Sequence, residues 1–239
     1  MSIRVSVAMA VYNGEKFLQQ QIDSIIEQLG ASDELVISVD PSDDNSKEVA
    51  LEYAKDSRVR VFDGPGRGAI KNFENALRHV KGEYIFLSDQ DDVWDKNKIS
   101  EMLSALAGQN VYATVHDAYV TDEDLKIISE TFFEISFYPG IIKNIIKNRY
   151  IGCCMAFKRE VLQHALPFPG NLPMHDQWIG IIARKLGEVV FVPKPLIYYR
   201  RHQGTVTGQE KAGIIKKLKW RTSIIWAILS VNTRKRDKR

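Results

Sequence analysis

The feature that most constrains this chain is an alternation running through its first half. The apolar run RVSVAMAVY precedes GEKFLQQQIDSIIEQL, where Phe17, Ile22, Ile25, Ile26 and Leu29 fall at helical spacing. ELVISVD precedes DDNSKEVALEYAK, which opens with Asn and Ser as capping residues, and RVRVFDG precedes GAIKNFENALRHV. EYIFLS is a further strand. Strand–helix alternation with runs too apolar for one-sided burial predicts a parallel sheet with helices on both faces. Such sheets bind ligands beyond the carboxyl ends of their strands. Asn13, Asp40 and Asp89 each stand at or just past a strand end, so all three share one rim.

After residue 110 the pattern changes. VYATVHDAYV and KIIS are predicted strands, and 132–150 is an aromatic and Asn-rich connection. GCCMAFKREVLQHAL is predicted to pass from strand to helix, and MHDQWIGIIARKLG to form a helix with a buried face. EVVFVPKPLIYYRRH is predicted as two short strands around Pro193 and Pro195. Without repeats or a long linker, the expectation is one α/β domain with a mixed second half.

A 44% hydrophobic, 26% charged composition excludes wholesale disorder. The only two cysteines, Cys153 and Cys154, are adjacent, which suits neither a disulfide framework nor a zinc site and fits a reducing, cytosolic compartment. The N-terminus is predicted to be a first strand and not a signal peptide. Residues 211–239 hold ten basic side chains against Asp237, a net +9. The whole chain is +3, which leaves −6 for the rest. An acidic body with a basic tail is suited to an anionic surface.

SDQDDVW places Asp89, Asp91 and Asp92 within four positions of one another. One Asp there could cap the helix expected near Asp95. Three exceed what a cap needs, and hard cations such as Mg²⁺ take carboxylates together with phosphate oxygens. In SVDPSDDNS, Ser42 and Asp44 are turn and cap residues. Asp40 instead ends a strand at the shared rim, where a carboxylate can accept from the imide N–H of uracil or thymine. In MHDQW, His175 and Asp176 open a helix, and the pair could be a cap or a general base for a hydroxyl. GPGRG has neither P-loop nor dinucleotide spacing and is expected to be a turn. His79 and His164 are taken as structural.

Taken together, SVAMAVYNGEKFLQQQIDSI, SVDPSDDNS, KGEYIFLSDQDDVW, GCCMAF, MHDQWIGIIA and PLIYYRRHQGTVTG, in that order over residues 3–208, resemble the inverting family 2 glycosyltransferases of GT-A fold. The likeness is strongest to bacterial members that build surface polysaccharides, rhamnosyl- and other hexosyltransferases among them. The resemblance implies a GT-A domain over 1–208 and a basic tail over 209–239. It also implies a dTDP- or UDP-linked nucleotide-sugar donor, a saccharide acceptor carried on lipid, and Mg²⁺ or Mn²⁺. Ala10 to Tyr12 would line the nucleotide pocket with Asp40 on the base, and Lys71 and Gln90 would lie on the same side. Asp89 and Asp91 would be the DxD motif, with Asp91 on the metal and Asp89 nearer the ribose as well as the ion. His202 would add a metal or diphosphate ligand. Asp176 would be the base, with Trp94, His175, Gln177 and Trp178 shaping the sugar and acceptor side.

One departure stands out. Where the family commonly has Asp-Asp-Gly-Ser, this chain has Val39-Asp40-Pro41-Ser42. Val39 keeps open a non-catalytic sugar-nucleotide or glycan-binding protein. DQDDV also fits the Asp-x-Asp-x-Val pattern of aspartyl phosphohydrolases, although that motif belongs on a first strand.

In the tail, the apolar run Ile224–Val231 is too short to span a bilayer, which needs ~20 residues. It is expected to be either a helix packed on the domain with a solvated basic face or an in-plane anchor on anionic lipid, and the anchor is preferred. That would place the protein at the cytoplasmic face of the plasma membrane. Nucleic acid is not an expected partner.

Overall fold

The structure, a computed structural model, describes residues 4–133, 140–170, 172–202 and 213–236. The boundary expected at 208, the end of the motif at Gln203–Gly208 and Lys211 lie outside the described residues. Strand β1 (Val5–Val11) is paired in parallel with β2 (Glu34–Val39) on one side and β4 (Tyr84–Ser88) on the other, and β3 (Val59–Asp63) extends β2. Val7, Ala8 and Met9, Leu35 to Ile37, and Ile85 to Leu87 are all fully buried. Consecutive burial means both faces are covered, as a parallel sheet requires. Helices α1 (Glu15–Ile26), α2 (Ser46–Glu52) and α3 (Ala69–His79) carry the chain between these strands.

The second half extends the same sheet. Strand β5 (Val93–Trp94) and helix α4 (Lys98–Leu106) lead to β6 (Val111–Thr121), which carries the short β7 (Ile127–Ser129) at its end. Strand β8 (Met155–Lys158) runs antiparallel to both β4 and β6 and inserts between them. Strand β9 (Glu188–Arg200) is parallel to β6 and pairs with β5 on its outer side. The order is β3-β2-β1-β4-β8-β6-β9-β5, with β7 on β6. β1 to β4, β6 and β9 all point the same way, so the rim read from the sequence continues across the molecule. Helices α5 (Ile141–Ile146), α6 (Arg159–Ala165) and α7 (His175–Leu186) cover this half, and α8 (Ile214–Arg236) follows the domain.

Two expectations are corrected. EVVFVPKPLIYYR is one strand: β9 slips register against β6 on either side of Asp117, opposite Pro193 to Pro195. Proline has no N–H for the ladder, so the strand bulges there and resumes. The connection 132–150 also contains a helix, α5.

Ile224 and Ala227 of α8 are buried against the domain, while Leu218, Ile225, Trp226 and Leu229 are exposed. No helix among the described residues is long and apolar enough to cross a membrane.

Candidate active site

One side of the rim is built from loops that hold one another by side chain–backbone hydrogen bonds. After β1 the chain turns at Asn13, which adopts φ 48°, a conformation Asn tolerates. Ser42 Oγ accepts from Asn13 N–H (3.1 Å), and Asn13 Oδ1 accepts from Asp43 N–H (2.9 Å). Ser46 Oγ accepts from Gly14 N–H (2.7 Å). The SDDNS segment therefore fixes the end of β1 as well as capping α2. Burial is the largest single effect on Asp44 and would raise its carboxyl pKa, but four hydrogen bonds from Ser46 and neighbouring N–H groups together outweigh it and hold the pKa below the ordinary value.

Asp40 is 4% exposed, and its Oδ1 accepts from Gly66 N–H at 2.8 Å. A Cβ on Gly64 would fall 2.3 Å from that oxygen and 2.6 Å from Asn72 Oδ1, so glycine is required by close approach. Asn72 donates to Val11 C=O (2.9 Å), but its own Oδ1 is buried without a partner. A buried acceptor left open beside a strand-end carboxylate suits a donor N–H from a ligand. Asp40 lines a cleft of about 350 Å³ with Val39, Pro41, Ser42 and Gly64.

Gln90 pairs with the backbone of Tyr12 at both ends. Its Oε1 accepts from Tyr12 N–H (2.6 Å) and its Nε2 donates to Tyr12 C=O (2.8 Å). Its amide thus joins the DQDD loop to the β1 loop, leaving the Tyr12 side chain 55% exposed. Ala10 is half-buried at the end of β1. Lys71 sits in the first turn of α3 with its Nζ 2.6 Å from Glu74 Oε2.

The three carboxylates divide by direction. Asp91 is half-buried, and its Oδ2 lies 2.9 Å from His202 Nε2. Asp92 is fully buried: Oδ1 accepts Arg200 N–H at 3.0 Å and Oδ2 has no partner. Asp89 lies between them, raised to about 7 by burial and then by the like charges of Asp91 and Asp176. Burial and the like charges of Asp91 and Asp89 push Asp92 up as well. Arg200 holds the loop by donating to Asp91 C=O (2.8 Å) and to Gln20 Oε1 (2.8 Å), and it also donates to Glu123 C=O.

Behind the loop, Lys98 is fully buried. It donates to Cys153 C=O at 2.6 Å, lies 3.9 Å from the Trp94 ring centre, and is lowered to about 8 by burial.

One atom each of Asp89, Asp92 and Cys153 lies within 4.8 Å of the other two. That trio is a poor cation site, because the bond to Cys154 and burial keep the Cys153 thiol well above its ordinary pKa and therefore protonated. The pair Asp89 and Asp91 fits better. Asp89 and Asp91 repel each other, a divalent cation relieves that repulsion, and hard carboxylate oxygens suit Mg²⁺ or Mn²⁺. His202 can orient Asp91 by hydrogen bonding or, with Nε2 deprotonated, share its ion.

Across the rim, Asp176 opens α7. It is 5% exposed, and its Oδ1 accepts from Gln177 N–H (2.5 Å) and Asn148 Nδ2 (3.1 Å). Burial outweighs these bonds and lifts its carboxyl from 3.8 to about 6. A carboxylate with that pKa is ionised at neutral pH yet basic enough to take a proton. His175 stacks on Phe73 at 4.1 Å and is pushed by burial down to about 3, so it is neutral.

The structure brings Asp89, Asp91, His202 and Asp176 together, and it places other expected site residues inside the protein. Trp178 is fully buried and donates to Ala165 C=O at 3.0 Å. Trp94 is buried against Phe86 and Lys98. Gln177 donates to Asn144 C=O at 2.6 Å, tying α7 to α5. Sequence reasoning did not single out Lys98, Asn148 or Arg200. Only Lys98 left a trace: it shares a helical face with Met102 and Leu106, which marks it as inward-facing.

A sequence model of Glycosyl transferase family 2 matches residues 6–166. The chain belongs to this family. Among relatives, the dTDP-rhamnosyl transferase RfbG of Shigella flexneri is 28% identical over 228 residues, covering 84% of this chain and 73% of RfbG. The Escherichia coli UDP-Glc:alpha-D-GlcNAc-diphosphoundecaprenol beta-1,3-glucosyltransferase WfgD is 27% identical over 166 residues. That match covers 69% of this chain and only 64% of WfgD. Residues 1–349 of S. aureus TarS, solved in complex with UDP-GlcNAc, superpose with TM-score 0.75 at 17% identity, covering 95% of this chain and 66% of that one. Pyrobaculum calidifontis mannosyltransferase PcManGT, solved with GDP-Man and Mn²⁺, gives TM-score 0.64 at 19% identity, covering 98% and 74%. These likenesses show the fold, which is GT-A, as the family 2 resemblance implies.

Proposed function

We propose that this family 2 glycosyltransferase moves a hexosyl unit from a dTDP- or UDP-linked donor to a hydroxyl of a saccharide acceptor with inversion, in the synthesis of a bacterial surface polysaccharide. The observation that carries the reading is the placement of Asp176: a buried carboxylate at about 6, close enough to Asp89 to raise its pKa, on the opposite side of one rim. Asp40 and Asn72 Oδ1 receive the imide N–H of the pyrimidine, and Tyr12 borders its ring. Asp91, with Asp89 and His202 beside it, would hold the divalent ion, which when bound offsets the diphosphate charge. Asp176 takes the acceptor proton as the acceptor oxygen bonds to the anomeric carbon and the bond to the diphosphate breaks on the opposite face. One displacement gives inversion.

Val39 leaves this arrangement intact, because Asp40 keeps its place and its bond to Gly66 N–H. The dTDP or UDP assignment is supported by the donors named in RfbG and WfgD, and a lipid-linked acceptor by the diphosphoundecaprenol in the name of WfgD.

The basic tail meets an anionic bilayer from the cytoplasmic side. Supporting this, α8 is apolar on two faces, one packed on the domain and one bearing Leu218, Ile225, Trp226 and Leu229 toward solvent.

The test is a thermal-shift and product assay with UDP-, dTDP- and GDP-sugars, with and without Mn²⁺. A metal-dependent shift with UDP or dTDP, and an inverted product lost in Asp176→Asn, is the expected result. Binding of the donor without turnover in the parent protein would instead favour the sugar-nucleotide-binding alternative.

A further inference from the structure

We propose that the turn Gly152–Cys154, held from inside by Lys98, is a positioning device that sets the spacing between the base Asp176 and the donor-side carboxylate Asp89. These two groups belong to different parts of the fold. Asp89 follows β4 in the parallel half, and Asp176 opens α7, which packs on the mixed half. The turn touches both. On one side a Cβ at Gly152 would lie 3.7 Å from Asp176 Cβ and 3.2 Å from His175 Nε2. On the other side a carboxylate oxygen of Asp89 lies within 4.8 Å of Cys153 Sγ, and the same Gly152 Cβ would lie 3.8 Å from Leu87.

Lys98 fixes the middle of the turn by donating to Cys153 C=O at 2.6 Å. A fully buried ammonium is a costly anchor, and Met would fill an apolar site of this length without that cost. Its charge is turned toward Asp92 and Asp89, and its donor toward the turn. Lys98 and Gly152 touch no substrate, so they act through Asp176 and Asp89. A misplacement of ~1 Å between reacting groups costs roughly 100-fold in rate, which makes a rigid spacer between the two halves consequential.

The inference rests on Asp176 being the base, and the experiment separates the two claims. Asp176→Asn, Gly152→Ala, Lys98→Met and Lys98→Gln are compared with the parent for kcat, donor KM and the acid limb of the pH–rate profile at saturating metal. Circular dichroism and melting temperature are read for each. Lys98→Met is expected to lower kcat ~10- to 100-fold, and Gly152→Ala, whose methyl is tight only against His175 Nε2 at 3.2 Å, by roughly three- to tenfold, both with donor KM within about threefold. Both should move the acid limb by about half a pH unit or more, because displacing the turn changes the surroundings of the Asp176 carboxylate, Gly152→Ala through the added methyl and Lys98→Met by releasing Cys153 C=O. Lys98→Gln, which keeps a donor without the charge, should recover part of the loss.

If Lys98→Met alone shifts the limb and Lys98→Gln matches it, Lys98 acts only as a nearby charge and the anchor is overturned. If kcat falls but the limb stays in place for Gly152→Ala, the turn is merely structural and the proposal fails, even where Lys98→Met does not fold. Full turnover in Asp176→Asn would overturn the base assignment itself, whatever the other variants do.

Discussion

The donor half and the acceptor half of this transferase are held together in different ways. On the donor side, neighbouring loops bond one another's backbones: Ser42 and Ser46 to the β1 loop, Gln90 to Tyr12, Asp40 to Gly66. On the acceptor side, single long-range contacts carry the arrangement, from Asn148 to Asp176, from Gln177 to α5 and from Lys98 to the Gly152–Cys154 turn. The donor half is thus preorganised where parallel strands end side by side, whereas Asp176 is held by a helix, a loop and a turn of the mixed half. Changes on the donor side should show in nucleotide affinity, and changes on the acceptor side in turnover.

The sharpest test of that division is Asp176→Asn. It should lower kcat by ~10²–10⁴-fold while leaving nucleotide binding by calorimetry unchanged. The same variant should melt at a higher temperature near pH 7.5. Because folding raises the Asp176 pKa from 3.8 to about 6, ionisation there opposes folding. The penalty is absent below the unfolded value, grows as pH rises through about 6, and is full above it, on the order of 1–3 kcal/mol. At pH 4 the two proteins should melt together.

Asp91→Asn should break the other side. Nucleotide-sugar affinity should fall roughly 10- to 100-fold and lose its dependence on Mn²⁺ in a binding titration, because the ion loses a ligand. Equal affinity with and without the ion in the parent would contradict the assignment.

Gly64→Ala tests the pocket wall. A methyl 2.3 Å from Asp40 Oδ1 must displace that carboxylate, so donor KM should rise severalfold while kcat at saturation stays near the parent's. The shift in packing should cost ~1–3 kcal/mol in a denaturant titration.

For the parent enzyme, kcat/KM should fall as pH drops through about 6, the point at which Asp176 gains a proton. A limb that stays flat to pH 5 would remove Asp176 from the proton transfer.

The smallest effect on turnover should come from Trp226→Glu on the outward face of α8. Co-sedimentation with phosphatidylglycerol vesicles should drop and lose salt sensitivity, while transfer to a water-soluble acceptor is unchanged.

Legibility from sequence followed the same division. The β–α alternation gave the parallel half because apolar period and strand length are local properties. Asp40 and Asp89 could be placed on one rim because parallel strands end on the same side. The mixed half was harder. Whether Pro193 and Pro195 divide a strand depends on what pairs opposite them, and Asp117 absorbs the slip. Trp94 and Trp178 stand beside motif residues, and adjacency in sequence does not tell a cleft wall from the core. What Val39 changes at the donor site is not written in the neighbouring residues, since the bond of Asp40 runs to Gly66, 26 positions away.

The Gln90–Tyr12 pairing has a consequence for anyone rebuilding donor choice. A single side-chain amide completes one rung between two loops that are 78 positions apart in the chain. The loop after β1 and the DQDD loop are therefore one exchangeable cassette. A graft that imports the first loop from a relative with another nucleotide, without residues 86–92, keeps that rung only where the imported main chain follows the path of Tyr12, because both partners of Gln90 are backbone atoms. Selection on specificity should therefore act on the two segments as a unit.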